Sequence, residues 1–203
     1  MPTLALPDCR NARDLAGTPL PGGRAVEPGA LLRSDNHDRL TPEGVAAVRA
    51  LGVARIVDLR HRWEAEAFPS PFRGDPVYRN VPMEGEDTDL AAVDDGRVLL
   101  DRFPAETAAA FGAVAKAPPG PVLVHCHAGR DRTGTLIALL LAVAGADAAA
   151  IADDYALTPG AERGAMIGLL DHLDRRYGGA RAYLAGAGVS AAQLDAAVLR
   201  LGG

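Results

Sequence analysis

"VLVHCHAGRDRTGTLIALLLAV", residues 122–143, passes from an apolar run through a short polar loop into a second apolar run. The first run is β-branched and short, which suits a buried strand. The second is long and rich in Leu and Ala, which suits a helix. Five residues, His127, Ala128, Gly129, Arg130 and Asp131, separate Cys126 from Arg132. A strand, a tight loop and a helix N-terminus make a site for an anion. The first turn of a helix leaves backbone N–H groups without partners, and its dipole is positive there. Gly129 can take a backbone angle that other residues adopt only at a cost. A thiol at the base of such a concavity is favoured as thiolate, the nucleophilic form. Arg132 brings a planar fork that holds two phosphate oxygens at once. Thr133 can offer its hydroxyl to the sulfur as that sulfur leaves.

The rest of the chain is consistent with one α/β domain over 1–203. Residues 54–60 (ARIVDLR), 76–82 (PVYRNVP) and 121–126 (PVLVHC) read as strands, with a short strand near 31–35 (LLRSD). Helices are expected over 41–52, where Thr41 is an N-cap and Pro42 suits the first turn, and over 105–117. Further helices are expected near 133–144, 147–156, 160–176 and 190–201. Strands separated by helices predict a central, mostly parallel sheet flanked by helices. The segment 83–104 (MEGEDTDLAAVDDGRVLLDRFP) is the most acidic and reads as a flap carrying one helix.

Composition narrows the class. At 48% hydrophobic residues the 203-residue chain can bury a sizeable core, and its net charge of −5 excludes bulk attraction to nucleic acid. Of 21 basic residues only Lys116 is lysine; with the many Ala and Gly this is the usage of a GC-rich bacterial genome. Two cysteines, Cys9 and Cys126, make no disulfide framework and suit a reducing compartment. The N-terminus lacks a basic start followed by an apolar stretch, and the longest uncharged run, 133–146, is shorter than the roughly 20 residues a membrane span needs. A cytoplasmic protein without stable membrane insertion is expected, with export by another route left open.

The stretch HCHAGRDRTG (125–134) resembles the Cys-x5-Arg signature of protein tyrosine phosphatases. NARDLAG (11–17) is similar to the Asn-Phe-Arg-Asp-Leu-Gly-Gly opening of a bacterial tyrosine/serine phosphatase family, the branch like mycobacterial protein tyrosine phosphatase B. Residues 31–66 and 183–202 are similar to further segments of that branch, and the likeness covers most of the chain. The resemblance implies the protein tyrosine phosphatase-like fold and a phosphatase that uses no metal and no cofactor. By it Cys126 is the nucleophile, Arg132 binds phosphate in the transition state, and the backbone from His127 through Ala128, Gly129 and Arg130 to Arg132 cradles the anion. A cysteinyl-phosphate forms and water hydrolyses it. The implied substrate is phosphotyrosine, with phosphoserine, phosphothreonine and phosphoinositides as extensions through Arg130 and His127. Two other uses of such a loop are a phosphate-recognising binding module and a sulfurtransferase, the latter disfavoured by loop length.

Asp131 is the expected general acid, or a residue that orients the leaving group or water. The alternative is pairing with a neighbouring arginine. Competing donors are Glu84, Glu86, Asp87 and Asp89. Arg130 either reads a second phosphate, or is solvated or pairs with Asp14 or Asp58. Asn11, Arg13 and Asp14 match the family opening, with turn and capping roles foremost. Asp58 and Arg60 end a strand on the side where such sites form; Arg60 touches substrate or makes a structural ion pair. Cys9 is either a reversible disulfide partner for Cys126 or a passive thiol. The segment 83–104 is shorter than the lid insertion of the mycobacterial relatives, so an open, peroxide-sensitive site is expected, and Ala12 stands where the branch has Phe.

Overall fold

The computed structural model describes residues 3–85 and 95–202. In chain order the elements are β1 (Arg13–Asp14), β2 (Pro19–Leu20), β3 (Arg24–Ala25), β4 (Leu31–Ser34), α1 (Pro42–Ala50), β5 (Arg55–Asp58), α2 (Arg62–Ala67), β6 (Tyr78–Asn80), α3 (Gly96–Arg102), α4 (Pro104–Ala115), β7 (Val122–His125), α5 (Asp131–Val143), α6 (Ala148–Ala156), α7 (Arg163–Tyr177), α8 (Ala180–Gly186) and α9 (Ala191–Arg200). Five strands form one sheet in the order β1-β4-β7-β5-β6. β4, β7, β5 and β6 run parallel, and β1 closes the edge antiparallel. β2 and β3 form a separate small ribbon. This is the α/β architecture expected from the alternation of apolar runs.

The register places the loop. Ser34 and Asp58 both lie level with His125, the last residue of β7. Cys126 therefore leaves the carboxyl edge of the central strand, flanked by the exits of β4 and β5. β7 is buried along its whole length, as a strand covered on both faces should be. Leu32, Ile56 and Leu123 pack toward α1 with Val48 and Phe72. Leu31, Val57, Val122 and Val124 face the larger cluster built on α4, α5 and the C-terminal helices. In α5 every residue but Asp131 and Ala142 is buried. The loop at 126–130 is thus anchored between two elements that sit in the core.

Three expectations need correction. The acidic segment is not a flap at its described ends: Met83 and Glu84 are buried, and α3 packs Leu99 and Leu100 fully into the body. Gly96 permits this, since a Cβ there would meet Thr135 and Leu169. Residues 86–94, including Glu86, Asp87 and Asp89, lie outside the described residues. The C-terminal region holds α8 ahead of α9. The strand at 54–60 stops at Asp58, and α2 follows, capped by His61. There the Glu64 carboxylate accepts from the His61 N–H at 2.9 Å, while the His61 ring accepts from Trp63 N–H at 3.3 Å. A capping box usually opens with Ser or Thr, and a His in that place hides it from a propensity reading.

Candidate active site

The carbonyl groups of His127, Ala128 and Gly129 are held from outside the loop. The His127 carbonyl accepts from Asn36 N–H at 3.0 Å. Asn11 Nδ2 donates to the carbonyls of Ala128 at 3.2 Å and Gly129 at 3.0 Å. Arg33 adds a second bond to Gly129 at 2.6 Å, and Gly134 N–H reaches Arg130 at 2.6 Å. A peptide unit points its N–H opposite to its C=O. Tying the carbonyls outward therefore turns the amides toward the loop's centre. Among the described residues, the N–H groups of Ala128, Gly129, Asp131 and Arg132 donate to no protein acceptor. That is a ring of donors, completed by the uncapped N-terminus of α5. Gly129 sits at φ +66°, and a Cβ there would run into the Ser34 carbonyl.

Cys126 lies at the base, 2% exposed. Arg132, 8% exposed, is held by two carboxylates. Its NH1 donates to Glu64 at 2.5 Å and to Glu84 at 2.7 Å, and its NH2 donates to Glu64 at 3.1 Å. Among the described residues its Nε–H and one NH2 hydrogen have no acceptor, which is the adjacent pair a phosphate takes side-on. Burial alone would lower the arginine's pKa; the charges at Cys126, Glu64 and Glu84 outweigh it and hold it above the ordinary range. The two carboxylates move in opposite directions. Burial pushes Glu84 up, and Arg132 only partly offsets it. Burial also acts on Glu64, but two bonds from Arg132 and one from the His61 amide win, and its pKa falls. The difference follows from the partners: Glu84 Oε2 is buried and has none among the described residues.

Asp131 starts α5 with both oxygens accepting. Arg130 Nε donates to one at 2.9 Å and Tyr155 OH to the other at 3.0 Å. Arg130 is therefore engaged with Asp131, not with Asp14 or Asp58 as one expectation had it. Asp131 and Tyr155 also line a cavity of about 280 Å³ with Gly96, Thr135, Met166 and Leu169. His127 is exposed and meets the edge of Phe68, ring centroids 6.1 Å apart. Phe68 is 42% exposed, so aromatic surface borders the loop at His127. The Thr133 hydroxyl is fully buried with no hydrogen-bond partner among the described residues, Cys126 included.

The supporting candidates separate by geometry. Asp58 and Arg60 are fully buried and bond each other, with Arg60 NH2 2.6 Å from Asp58; Tyr78 OH adds 2.6 Å. Arg60 thus makes the ion pair of one of its two readings. Asp14 accepts from the amides of Ala16 and Gly29, a turn-capping role away from the loop. Cys9 donates its thiol to Asp35 at 2.8 Å, and burial followed by that carboxylate pushes its pKa up to about 12. Asp35 also accepts from the amides of Arg10 and Asn11, which seats Asn11 beneath the loop.

Sequence reasoning did not single out Glu64, Arg33 or Asp154. Glu64 was readable only through the disguised capping box. Arg33 and Asp154 connect to the loop only through tertiary contacts, 96 residues apart for Arg33 and Gly129 and 121 for Arg33 and Asp154. Among the described residues no group of three His, Cys, Asp or Glu side chains is placed to hold a metal, and no helix is long and apolar enough to cross a membrane.

Known proteins are similar to this chain in sequence. Residues 4–165 match the profile of the tyrosine phosphatase family. The triple specificity protein phosphatase PtpB of Mycobacterium tuberculosis is 31% identical over 188 residues, covering 74% of this chain and 67% of the relative. A tyrosine-protein phosphatase of Nostoc commune is 28% identical over 238 residues, covering 92% of this chain and 79% of that protein. With the Cys-x5-Arg loop intact on a parallel sheet, the chain belongs to the tyrosine phosphatase family and is a bacterial-type protein-tyrosine phosphatase of the PtpB-like branch.

Proposed function

We propose that the protein hydrolyses phosphotyrosine in two steps through a cysteinyl-phosphate on Cys126. The observation that supports this most is the outward anchoring of the loop carbonyls, which leaves inward amides and two Arg132 donors for a tetrahedral dianion. In the first step the Cys126 sulfur attacks phosphorus, the P–O bond to tyrosine breaks, and a carboxylic acid protonates the leaving oxygen. In the second, the resulting carboxylate takes a proton from water as the water oxygen attacks phosphorus, the P–S bond breaks and the sulfur leaves as thiolate, so the acid is restored and phosphate released. Loop amides and Arg132 stabilise the pentacoordinate charge in both. His127, Arg130 and Thr133 border the phosphate site.

Between Asp131 and Glu84 as proton donor, the observations favour Glu84. Both Asp131 oxygens already accept hydrogen bonds. Glu84 has a buried oxygen with no partner among the described residues, and burial favours its protonated form. Two carboxyl groups pushed apart in pKa at one site mark a division of labour: Glu84 donates, Glu64 stays charged and holds Arg132. The exposed ring of Phe68 beside His127 supports an aromatic substrate. The relative named a triple specificity phosphatase gives precedent for a wider range, reaching phosphoserine, phosphothreonine or phosphoinositides.

The test is p-nitrophenyl phosphate hydrolysis by wild type and Cys126→Ser, with vanadate as competitor. Wild-type turnover that is lost in the variant and blocked by vanadate is expected. Binding of vanadate without Cys126-dependent turnover would leave only a phosphate-recognising module.

A further inference from the structure

The opening segment and β4 each send one buried arginine toward the same acid. Arg13 Nε lies 2.7 Å from Asp154 Oδ1, and Arg33 NH1 lies 2.5 Å from Asp154 Oδ2. Arg13 also donates to the Asp154 carbonyl at 2.8 Å, to Thr158 Oγ1 at 3.0 Å and to Asn11 Oδ1 at 2.5 Å. All three charged groups are at least nine-tenths buried. Both arginines then reach the active loop, Arg33 directly at the Gly129 carbonyl and Arg13 through Asn11, whose amide holds Ala128 and Gly129.

We propose that Asp154 on α6 is a positioning residue for catalysis: one carboxylate aligns Arg13 and Arg33 so that the loop's carbonyls stay turned out and its amides turned in. The proposal rests on the phosphatase reading above. It gives the NARD and LRS segments a shared task that neither capping nor core packing explains. Arg33 is level with Val124 in the neighbouring strand, two residues before Cys126, so its side chain lies under the loop. The bracket joins β1, β4 and α6, and a fork in each arginine supplies the directional bonds that an ammonium would not.

Charge and position make opposite forecasts, which allows a clean test. Two guanidiniums share one carboxylate, so the bracket carries one excess positive charge. Asp154→Asn raises that excess. If the bracket acted only by its charge, a bound oxyanion would be held more tightly. If it acts by aligning the loop, the anion is held less tightly despite the added charge. Misplacing loop donors by about 1 Å costs on the order of 100-fold, so vanadate affinity is expected to weaken by about 10- to 100-fold, with kcat/KM falling in parallel. Arg33→Lys, which keeps the charge and loses the fork, is expected to behave alike.

The experiment measures vanadate inhibition and kcat/KM on the full chain, with thermal unfolding recorded for each variant. An inhibition constant does not depend on how much of the sample is active, so a residue that only stabilised the fold would leave it unchanged. A folded variant whose vanadate affinity stays within about twofold of wild type, or rises, overturns the proposal. Failure of both variants to fold assigns the bracket to stability and overturns it as well. If wild type shows no Cys126-dependent turnover, the phosphatase reading fails separately, and calorimetric vanadate binding still decides the role of the bracket.

Discussion

Replacing Gly129 by alanine should cripple catalysis far more than it destabilises the fold. The backbone there is left-handed, φ +66°, and a Cβ would collide with the Ser34 carbonyl on β4. The dihedral alone costs about 1–2 kcal/mol for a non-glycine residue. The collision is separate: restoring an ordinary contact moves the loop by about 1 Å, and a displacement of that size is worth about 100-fold in rate. Gly52 supplies the control. It has φ +65° with nothing within 4 Å of the place a Cβ would take, at the end of α1 and the opposite edge of the sheet from the loop. Gly52→Ala should lower the melting temperature by roughly 2–8 °C, the dihedral cost alone, and leave kcat/KM within about twofold. Gly129→Ala should lose about 100-fold in kcat/KM, near 2.7 kcal/mol of transition-state stabilisation, together with matching vanadate affinity. The assay is steady-state hydrolysis of an aryl phosphate beside thermal unfolding of both variants. Near-wild-type kcat/KM in a folded Gly129→Ala protein would refute the claim that carbonyls anchored on β4 set the amide ring.

Three other perturbations bear on separate parts of the site. Glu84→Gln should slow an alkyl phosphate, a poor leaving group, by about 100-fold and barely affect an activated aryl phosphate, whereas Asp131→Asn should affect both equally; the reverse pattern returns the acid role to Asp131. Burial alone would raise the Asp58 pKa, but His125, Arg60 and Tyr78 bring it from 3.8 to about 2. A carboxylate so depressed stabilises the fold above pH ~4 and loses that contribution as pH falls toward 2, about 2 kcal/mol in all. Asp58→Asn should therefore narrow its stability gap to wild type by about that amount between pH 6 and pH 2.5 in urea titrations, and a pH-independent gap would contradict it. Cys9→Ser should leave the rate of peroxide inactivation unchanged, because its thiol is bonded to Asp35 and held in its protonated form; faster inactivation in the variant, with a Cys9–Cys126 disulfide in wild type by mass spectrometry, would show a protective thiol instead.

What the chain reveals without coordinates depends on the range of the interaction. The strand–loop–helix unit is local: four β-branched or apolar residues, a polar loop and an apolar run suffice to place Cys126, Gly129 and Arg132. The parallel sheet follows from the same alternation. The helix at 62–67 was hidden because its cap is His61, a rare opener. The acidic stretch misled because composition reports charge, while the buried Leu99 and Leu100 of α3 decide where it packs. The deepest layer was least legible. Asp154 reads as one acid in an ordinary helix, and only the packing of α6 against the loop places it between Arg13 and Arg33. Long-range ion pairs leave no periodicity behind them.

The charges at the site also show how an acidic chain keeps an anion-binding pocket. Three buried guanidiniums, Arg13, Arg33 and Arg132, face three buried carboxylates, Asp154, Glu64 and Glu84. The pocket thus carries its own counter-charges, so three arginines are not left unpaired in a low-dielectric interior, which would cost several kcal/mol each. A phosphate dianion approaching Arg132 then meets two carboxylates already in place, and one of them has to give way. Glu64 is anchored by two bonds to Arg132 and one to the His61 amide, so its charge is the cheaper to keep. Among the described residues Glu84 has one side-chain bond and an oxygen with no partner, and burial already favours its proton. Adding a dianion beside it raises that preference further, since like charge favours the neutral form. On the proposed mechanism, substrate binding would therefore load the proton that the leaving group takes, with Glu84 both the counter-charge of Arg132 and the acid.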